Sequence, residues 1–467
     1  MSIQTALNAA LSGLRATQQQ AALTSHNISN ATTAGFVRKE LALSTSVTAG
    51  HGSGVRVDGV ARRVDELLIR DARFEQSRFT AQETRASALA DYAAVLGQPQ
   101  DERSVATAVA KLQQAFDRLH GMPDDGAAQA AVVDRAQALV RNLHGAAEAA
   151  TAVRMDARNR LSASVDQVNR ALVRISELNG TIATQQAKGA DTSDLLDERD
   201  RLLDTVSEEI GIRTYTRDNG QVVVMTRNGE TLLDRELAPG AQPLQLIGTD
   251  LVAGGTILSA NPDRDIQSGR IMGYVQAATQ DMPRALAQLD ALAAGIVKRF
   301  QDAEDNPAAA GLFTDAGAAL DPLATAGLAG RIAVNAAVQG NAWRVQSGVQ
   351  AATPLPPGDQ TQIKAFIGAF TATGPFSAPD MPGTATLGDY ATTMVSTQQG
   401  YRTTAEADMK TRRISADALQ SARLNRDGVN IDDEMQKLLL IEQSYGASAQ
   451  VIQAAGRMID TLLSIRG

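Results

Sequence analysis

The stretch Ser25–Phe36, SHNISNATTAGF, ends an N-terminal run that is otherwise patterned as one long helix. Asn27, Asn30, Thr32 and Thr33 bring side chains that compete for backbone hydrogen bonds, and Gly35 tolerates a left-handed backbone. Phe36 then restarts apolar packing. The run reads as a helix stop and a shaped corner, set by Asn27, Asn30, Gly35 and Phe36. Upstream, apolar or small residues recur at Ile3, Leu7, Ala10, Leu14, Thr17, Ala21, Thr24 and Ile28. Steps that alternate between four and three residues predict a coiled-coil-like stripe. Half of it is Ala or Thr, so it needs a partner, and the residues after the corner predict no nearby helix.

The far end of the chain supplies one. Ile431, Met435, Leu438, Glu442, Tyr445, Ala449, Ile452, Gly456, Ile459 and Leu463 keep the same spacing. The preceding RDGVN breaks a helix, with Gly428 as the stop and Asn430 as the next N-cap. Asp432, Asp433 and Glu434 fill the first turn, where the helix dipole favours acids over any cation-binding role. The two ends are therefore expected to pair. Leu7, Leu11, Leu14 and Ile28, with Leu438, Tyr445, Ile452, Ile459 and Leu463, are expected in the core or interface of that layer. Because the stripes are weak, the ends are expected to order fully only when neighbouring subunits cover them.

Between the ends, Gly-rich TAGHGSGVRVDGV predicts an extended segment. Helices are predicted from about Arg63 to Leu96, Asp101 to Leu119 and Ala127 to Ala187. The last would be roughly 90 Å long at 1.5 Å per residue, which favours an elongated molecule. TSDLLDERDRLLDTVSEEIGI predicts a helix capped by Thr192 or Ser193, with Leu195, Leu196, Leu202, Leu203 and Val206 on one face. Asp197 and Arg201 are spaced to pair on a solvated face. The period then changes to two, and Asn219-Gly220 with Asn228-Gly229 predict a three-stranded meander. Pro239 to Asp265 reads as irregular, a helix is predicted from Met282 to Asp302, and 305–385 resists assignment. Helix returns from Leu387 to about Leu424.

The fold class expected is mainly α with a small β-containing insertion, an elongated multidomain chain with paired terminal helices beside a long helical bundle. The expected division is an inner layer of 1–35 and 430–467 and a bundle of 36–210, 266–305 and 385–429. An outer β-containing or irregular part takes 211–265 and 306–384.

Composition narrows function. The 467 residues carry 44 Lys and Arg against 52 Asp and Glu, a formal charge of −8, with no basic tail. Nucleic-acid binding has no electrostatic footprint. Cysteine is absent, so disulfides and thiolate metal sites are excluded. His26, His51, His120 and His144 are scattered without zinc spacing. GHGSGV and VAGGTI lack the strand–helix context of a dinucleotide loop and read as flexible loops. Trp343 reads as a packing anchor. No catalytic residues, cofactor or small-molecule substrate are expected. The opening segment lacks the parts of a cleaved secretory signal, and no apolar run approaches a membrane span.

LSGLRATQQQAALTSHNISNATTAGFVRKEL and GVNIDDEMQKLLLIEQSYGASAQVIQAAGRMIDTLL resemble the paired signatures of bacterial flagellar rod, hook and hook-associated axial proteins. DLLDERDRLLDTVSEEIGI, the two Asn-Gly strands and SGRIMGYVQAATQDMPRALAQLDALAAGIVKRFQDAEDNPAAAGLF resemble the hook-associated protein 1 (FlgK) family within that group. The resemblance covers both ends and most of 1–315 and 385–467, while 316–384 carry little of it. Thr33-Ala34-Gly35-Phe36 stands where the group often has Thr-Pro-Gly-Tyr, keeping the turn and the aromatic but losing the proline. The resemblance implies a structural protein of the hook–filament junction, exported without signal cleavage by the flagellar type III apparatus and located outside the cell. It also implies a homo-oligomeric ring or helical layer, hook protein and hook-associated protein 3 as neighbours, and an export chaperone on the C-terminal helix. The alternatives are another axial protein, such as hook protein or hook-associated protein 3, a helical scaffold, or an enzyme carried on the middle of the chain.

Overall fold

The computed structural model describes residues 3–48 and 51–466. Helix α1 (Ile3–Ser29) is followed by two long antiparallel strands, β1 (Lys39–Thr48) and β2 (His51–Arg62). Helices α2 (Glu66–Leu96), α3 (Val105–Gly121), α4 (Gly126–Ala187) and α5 (Ser193–Glu209) come next. A meander of β3 (Ile212–Thr216), β4 (Val222–Thr226) and β5 (Thr231–Leu233) precedes a second three-stranded sheet. That sheet is β6 (Leu244–Ile247), β7 (Asp250–Ala253) and β8 (Thr256–Ile257). Short α6 (Pro262–Asp265) and α7 (Arg270–Gln276) lead through a π-helical turn, Ala277–Asp281, into α8 (Met282–Asp302). Small elements follow: β9 (Phe313–Asp315), β10 (Ile332–Val334), α9 (Arg344–Ser347), α10 (Thr361–Thr371), β11 (Gly374–Pro375) and β12 (Thr384–Ala385). Helices α11 (Leu387–Asp427) and α12 (Ile431–Arg466) close the chain.

The molecule is mainly α with small sheets, and the long helices lie where the 3.6-residue period predicts them. Three expectations are corrected. The segment expected to be extended after the corner is part of a two-stranded ribbon, and GHGSGV, expected as a flexible loop, has its described residues 51–55 in β2. Its signal was the alternation Leu41, Leu43, Thr45, Val47 on β1; the partner strand lacks a matching one because two bulges insert Ser53 and Asp58 into it. Second, the irregular stretch before Asp265 holds β6–β8, and VAGGTI is a hairpin turn. Gly254 and Gly255 both take positive φ, +56° and +88°, which a type I′ turn requires. Third, 305–385 is ordered into short elements around a phenylalanine cluster.

The chain forms two compact units. One comprises the described residues of Ala81–Ser164 and Arg270–Lys410. Its core joins Leu112 and Phe116 of α3, Leu139 and Leu143 of α4, and Leu289, Leu292, Ile296 and Phe300 of α8. Phe116, Phe300, Phe366 and Phe370 meet with ring centres 5.2–5.9 Å apart. The aromatics are few, 3% of the chain, but they concentrate here. The π turn places Asp281 to accept both guanidinium forks of Arg85 at 2.9 Å.

The other unit comprises the described residues of Met1–Thr80, Val165–Gly269 and Thr411–Gly467. In α4 the stripe Val165, Val168, Leu172, Ile175, Asn179 and Ile182 is buried as its spacing predicts. Two asparagines on this helix anchor the two sheets by the same device. Asn179 donates to the Val222 carbonyl and accepts from its N–H, at 2.8 and 3.0 Å. Asn169 does the same with Leu244, at 2.7 and 3.1 Å.

Candidate assembly surface

Where α1 ends, Asn30 turns its side-chain amide back to the His26 carbonyl at 2.9 Å and accepts from the Thr33 hydroxyl. The first bond adds a side-chain donor to a carbonyl of the last helical turn. Gly35 has φ +74°, and a β-carbon there would lie 2.5 Å from Cγ of Arg201, so both backbone and space call for glycine. Phe36 sets its ring edge-on to His26 at 5.5 Å. The structure brings these residues together at the end of α1, with Asn27 at the centre. Asn27 is 1% exposed; it donates to the Lys39 carbonyl at 2.9 Å and to Glu434 Oε2 at 3.2 Å, and accepts from the Lys39 N–H. One side chain thus joins α1, β1 and α12.

Glu434, also 1% exposed, accepts from Nε of Arg38 at 2.7 Å with its other oxygen. Lys437 reaches Glu40 at 3.2 Å, and Arg63 meets the same carboxylate. Burial works against the charge of Glu40, but Lys437, Arg38 and Arg63 outweigh it and hold its pKa below the ordinary value. Asn430 caps α12 as predicted, accepting from the N–H of Asp432 at 3.0 Å. Gly428 follows the last residue of α11, and a β-carbon there would lie 2.3 Å from the Leu424 carbonyl, so close approach is what demands glycine.

The start of α5 meets the ribbon through ions. Lys39, though only 3% exposed, binds Asp194 and lies 3.4 Å from Asp197. Arg62 reaches Asp197 at 2.8 Å and Asp200 at 2.5 Å. The bond from Lys39 lowers the pKa of Asp194, whereas burial raises that of Asp197 against the pull of Arg62 and Lys39. This corrects the solvated face expected for DLLDERD: Asp197 and Arg199 are buried, Arg201 is exposed, and Asp197 pairs with the ribbon rather than with Arg201. Neither Thr192 nor Ser193 caps the helix; Asp191 accepts from both the N–H and the hydroxyl of Ser193. Leu203 and Val206 are buried, and Leu195, Leu196 and Leu202 half-buried.

Helices α1 and α12 pack against each other. On α1 the buried residues are small or polar: Ala10, Ala16, Thr17, Thr24 and Asn27. Leu7, Leu14 and Ile28 are half-buried and Leu11 is exposed. On α12, Leu438 and Ile452 are half-buried, while Tyr445, Ile459 and Leu463 are exposed. One predicted row therefore holds in part, and the other is one residue off. Glu434, Ile441, Ser448 and Ala455 turn inward where Met435, Glu442, Ala449 and Gly456 were expected, and Met435 and Glu442 are exposed. Leu439, Leu440, Val451 and Met458 join the exposed set. A groove of about 420 Å³ runs between α1, β1 and α12, lined by Leu23, Leu41, Leu440, Ile441 and Lys437 among others. Among the described residues no group of three or more His, Asp or Glu could hold a metal ion. Nor is any described helix long and apolar enough to cross a membrane.

Residues 92–312 match the family model for the flagellar hook-associated protein FlgK helical domain. Residues 420–465 match the model for the C-terminal part of the flagellar basal body rod FlgEFG proteins. Flagellar hook-associated protein 1 of Salmonella typhimurium is 27% identical over 313 residues, covering 63% of this chain and 55% of that protein. The chain thus spans about half the length of this relative. Flagellar hook-associated protein 1 of Bacillus subtilis is 23% identical over 505 residues, 96% of each chain. The flagellar hook junction protein FlgK of Burkholderia pseudomallei superposes with a TM-score of 0.45 at 22% identity, over 52% of this chain and 46% of that one.

Proposed function

We propose that this chain, a member of the flagellar hook-associated protein 1 family, is a structural subunit of the hook–filament junction that assembles through its terminal helices. The observation that carries this is the state of α12. Helix α12 is held to the corner through Glu434, yet it leaves Leu439, Leu440, Tyr445 and Leu463 exposed. Exposed large apolar residues gathered along one helix mark an interaction surface. Neighbouring subunits would cover it together with the half-buried Leu7, Leu14 and Ile28, in a ring or helical layer. Hook protein below and hook-associated protein 3 above are the neighbours this role requires. An export chaperone on α12 would keep the same face from associating early, before passage through the type III apparatus to the outside of the cell. The three-part division into 1–35 with 430–467, 36–210 with 266–305 and 385–429, and 211–265 with 306–384 belongs to this proposal. So does a structural rather than a catalytic role.

Leu438→Asp tests the proposal. The variant is expected to remain soluble, with the unit of Ala81–Ser164 and Arg270–Lys410 folded, and to leave cells that shed or fail to build filaments beyond the hook. Normal filaments by electron microscopy in that strain would refute assembly through the terminal helices.

A further inference from the structure

A second surface on the unit that carries the termini has no role in the assembly described above. On the first turns of α2, Arg70, Phe74 and Arg78 are spaced four residues apart and share one face. The guanidinium of Arg227, just past β4, sits 3.8 Å from the centre of the Phe74 ring, and that of Arg78 sits 5.4 Å from it. Arg213 stands exposed on β3, the edge strand of the meander. Two arginines thus stack on one ring, Arg70 shares its helix face, and Arg213 pairs in register with Met225, two residues before Arg227; among the described residues, two carboxylates pair with this group. Asp71 binds Arg70 at 3.1 Å, and Glu75 binds Arg78 at 2.8 Å while also lying 3.8 Å from Arg412. Arg213 and Arg227 have no ion pair among the described residues, and Nε of Arg227 is buried without a hydrogen bond. Burial first, then the charges of Arg213, Arg70 and Arg78, hold the Arg227 guanidinium below its ordinary pKa. Repulsion of this kind destabilises a folded chain and is relieved when an anion docks.

We propose that Arg213, Arg227, Arg70 and Arg78 form a docking surface for carboxylates of a second copy of this chain. The occupant follows from charge. The chain carries an excess of acids, 52 against 44 basic residues, so a second copy is net negative and is drawn to a patch of arginines. A second copy also brings exposed carboxylates without ion pairs, such as Asp432 and Asp433 at the start of α12. Arginine suits the task because its planar fork takes a carboxylate in two parallel bonds. The inference rests on the proposal that the chain polymerises, and adds a lateral electrostatic contact to the apolar one.

Sedimentation velocity on the full chain tests it. Self-association is expected to weaken sharply between salt of about 0.1 M and about 1 M, where the screening length falls from roughly 10 Å to 3 Å. Arg213→Glu is expected to weaken association at low salt roughly tenfold, whereas Arg213→Lys, which keeps the charge, retains most of it. Self-association that ignores both salt and Arg213→Glu overturns the inference, as does a wild-type chain that stays monomeric at every concentration. Arg213-dependent capture on phosphatidylserine vesicles without self-association would assign the patch to a membrane and also overturn it. The two proposals fail separately: association undiminished by Leu438→Asp removes the terminal-helix proposal, and association undiminished by Arg213→Glu removes this one.

Discussion

Asn27 shows how much one side chain settles. Three of its hydrogen bonds reach two other elements, and all of them lie in the interior. Asn27→Ala would leave the Lys39 backbone and a Glu434 oxygen unsatisfied in the interior, so a loss of about 1–3 kcal/mol is expected by chemical denaturation. Asn27→Asp should be worse, because it sets a second carboxylate against Glu434, and this ordering distinguishes a hydrogen-bonded hub from a mere space filler. Sequence alone marked Asn27 as part of a corner, because Asn, Thr and Gly crowd there. It did not mark Glu434 as the partner, since a first-turn acid on α12 is equally well explained by the helix dipole. The contact across 407 positions is visible only in the fold.

At the scale of elements, the ribbon β1–β2 and helix α5 depend on each other. Lys39 and Arg62 lie at opposite ends of the ribbon's sequence but face each other in its register, and together they enclose Asp197. Asp197 has its pKa raised by burial, so its ionised form is less favoured in the fold than in the unfolded chain. That penalty is complete above the folded pKa and disappears as pH falls through it toward the ordinary value near 3.9. Asp194 and Glu40 have lowered pKa values and act in the opposite sense, with stability present above the ordinary carboxylate range and lost as pH falls through their own values. Wild-type stability therefore carries a contribution from Asp197 that grows on mild acidification before the others fail. Asp197→Asn is expected to remove that contribution, giving a flatter profile between neutral pH and about pH 4 in urea titrations. An unchanged profile would show that Asp197 titrates in the folded chain as it does in the unfolded one. The seam of α12 carries a related lesson. Helical periodicity located the stripe but chose its second row one residue away, because Met435 and Leu463 in that row are more apolar than the Glu434 and Ser448 that pack inward.

For the molecule as a whole, an unfinished surface predicts a difference between the free and the assembled chain. Amide exchange along α12 beyond Met435 is expected to be fast in the isolated protein and to slow by an order of magnitude or more on mixing with hook ends. The unit built on Phe116, Phe300 and Phe366 should be protected in both states. Equal protection of α12 before and after mixing would argue that its exposed face has no partner in the axis. By itself the sequence determined the long helices, the Asn-Gly meander, the stop at Ser25–Phe36 and the match between the two ends, because each is written in local spacing and turn chemistry. Tertiary structure alone decided which row of α12 turns inward, that Asp197 of DLLDERD is buried against a ribbon, that the segment 313–385 orders around five phenylalanines, and that four arginines share one surface. The physical reason is that burial and charge pairing are properties of neighbours distant in sequence, and a periodic stripe records that a residue seeks cover without recording what supplies it.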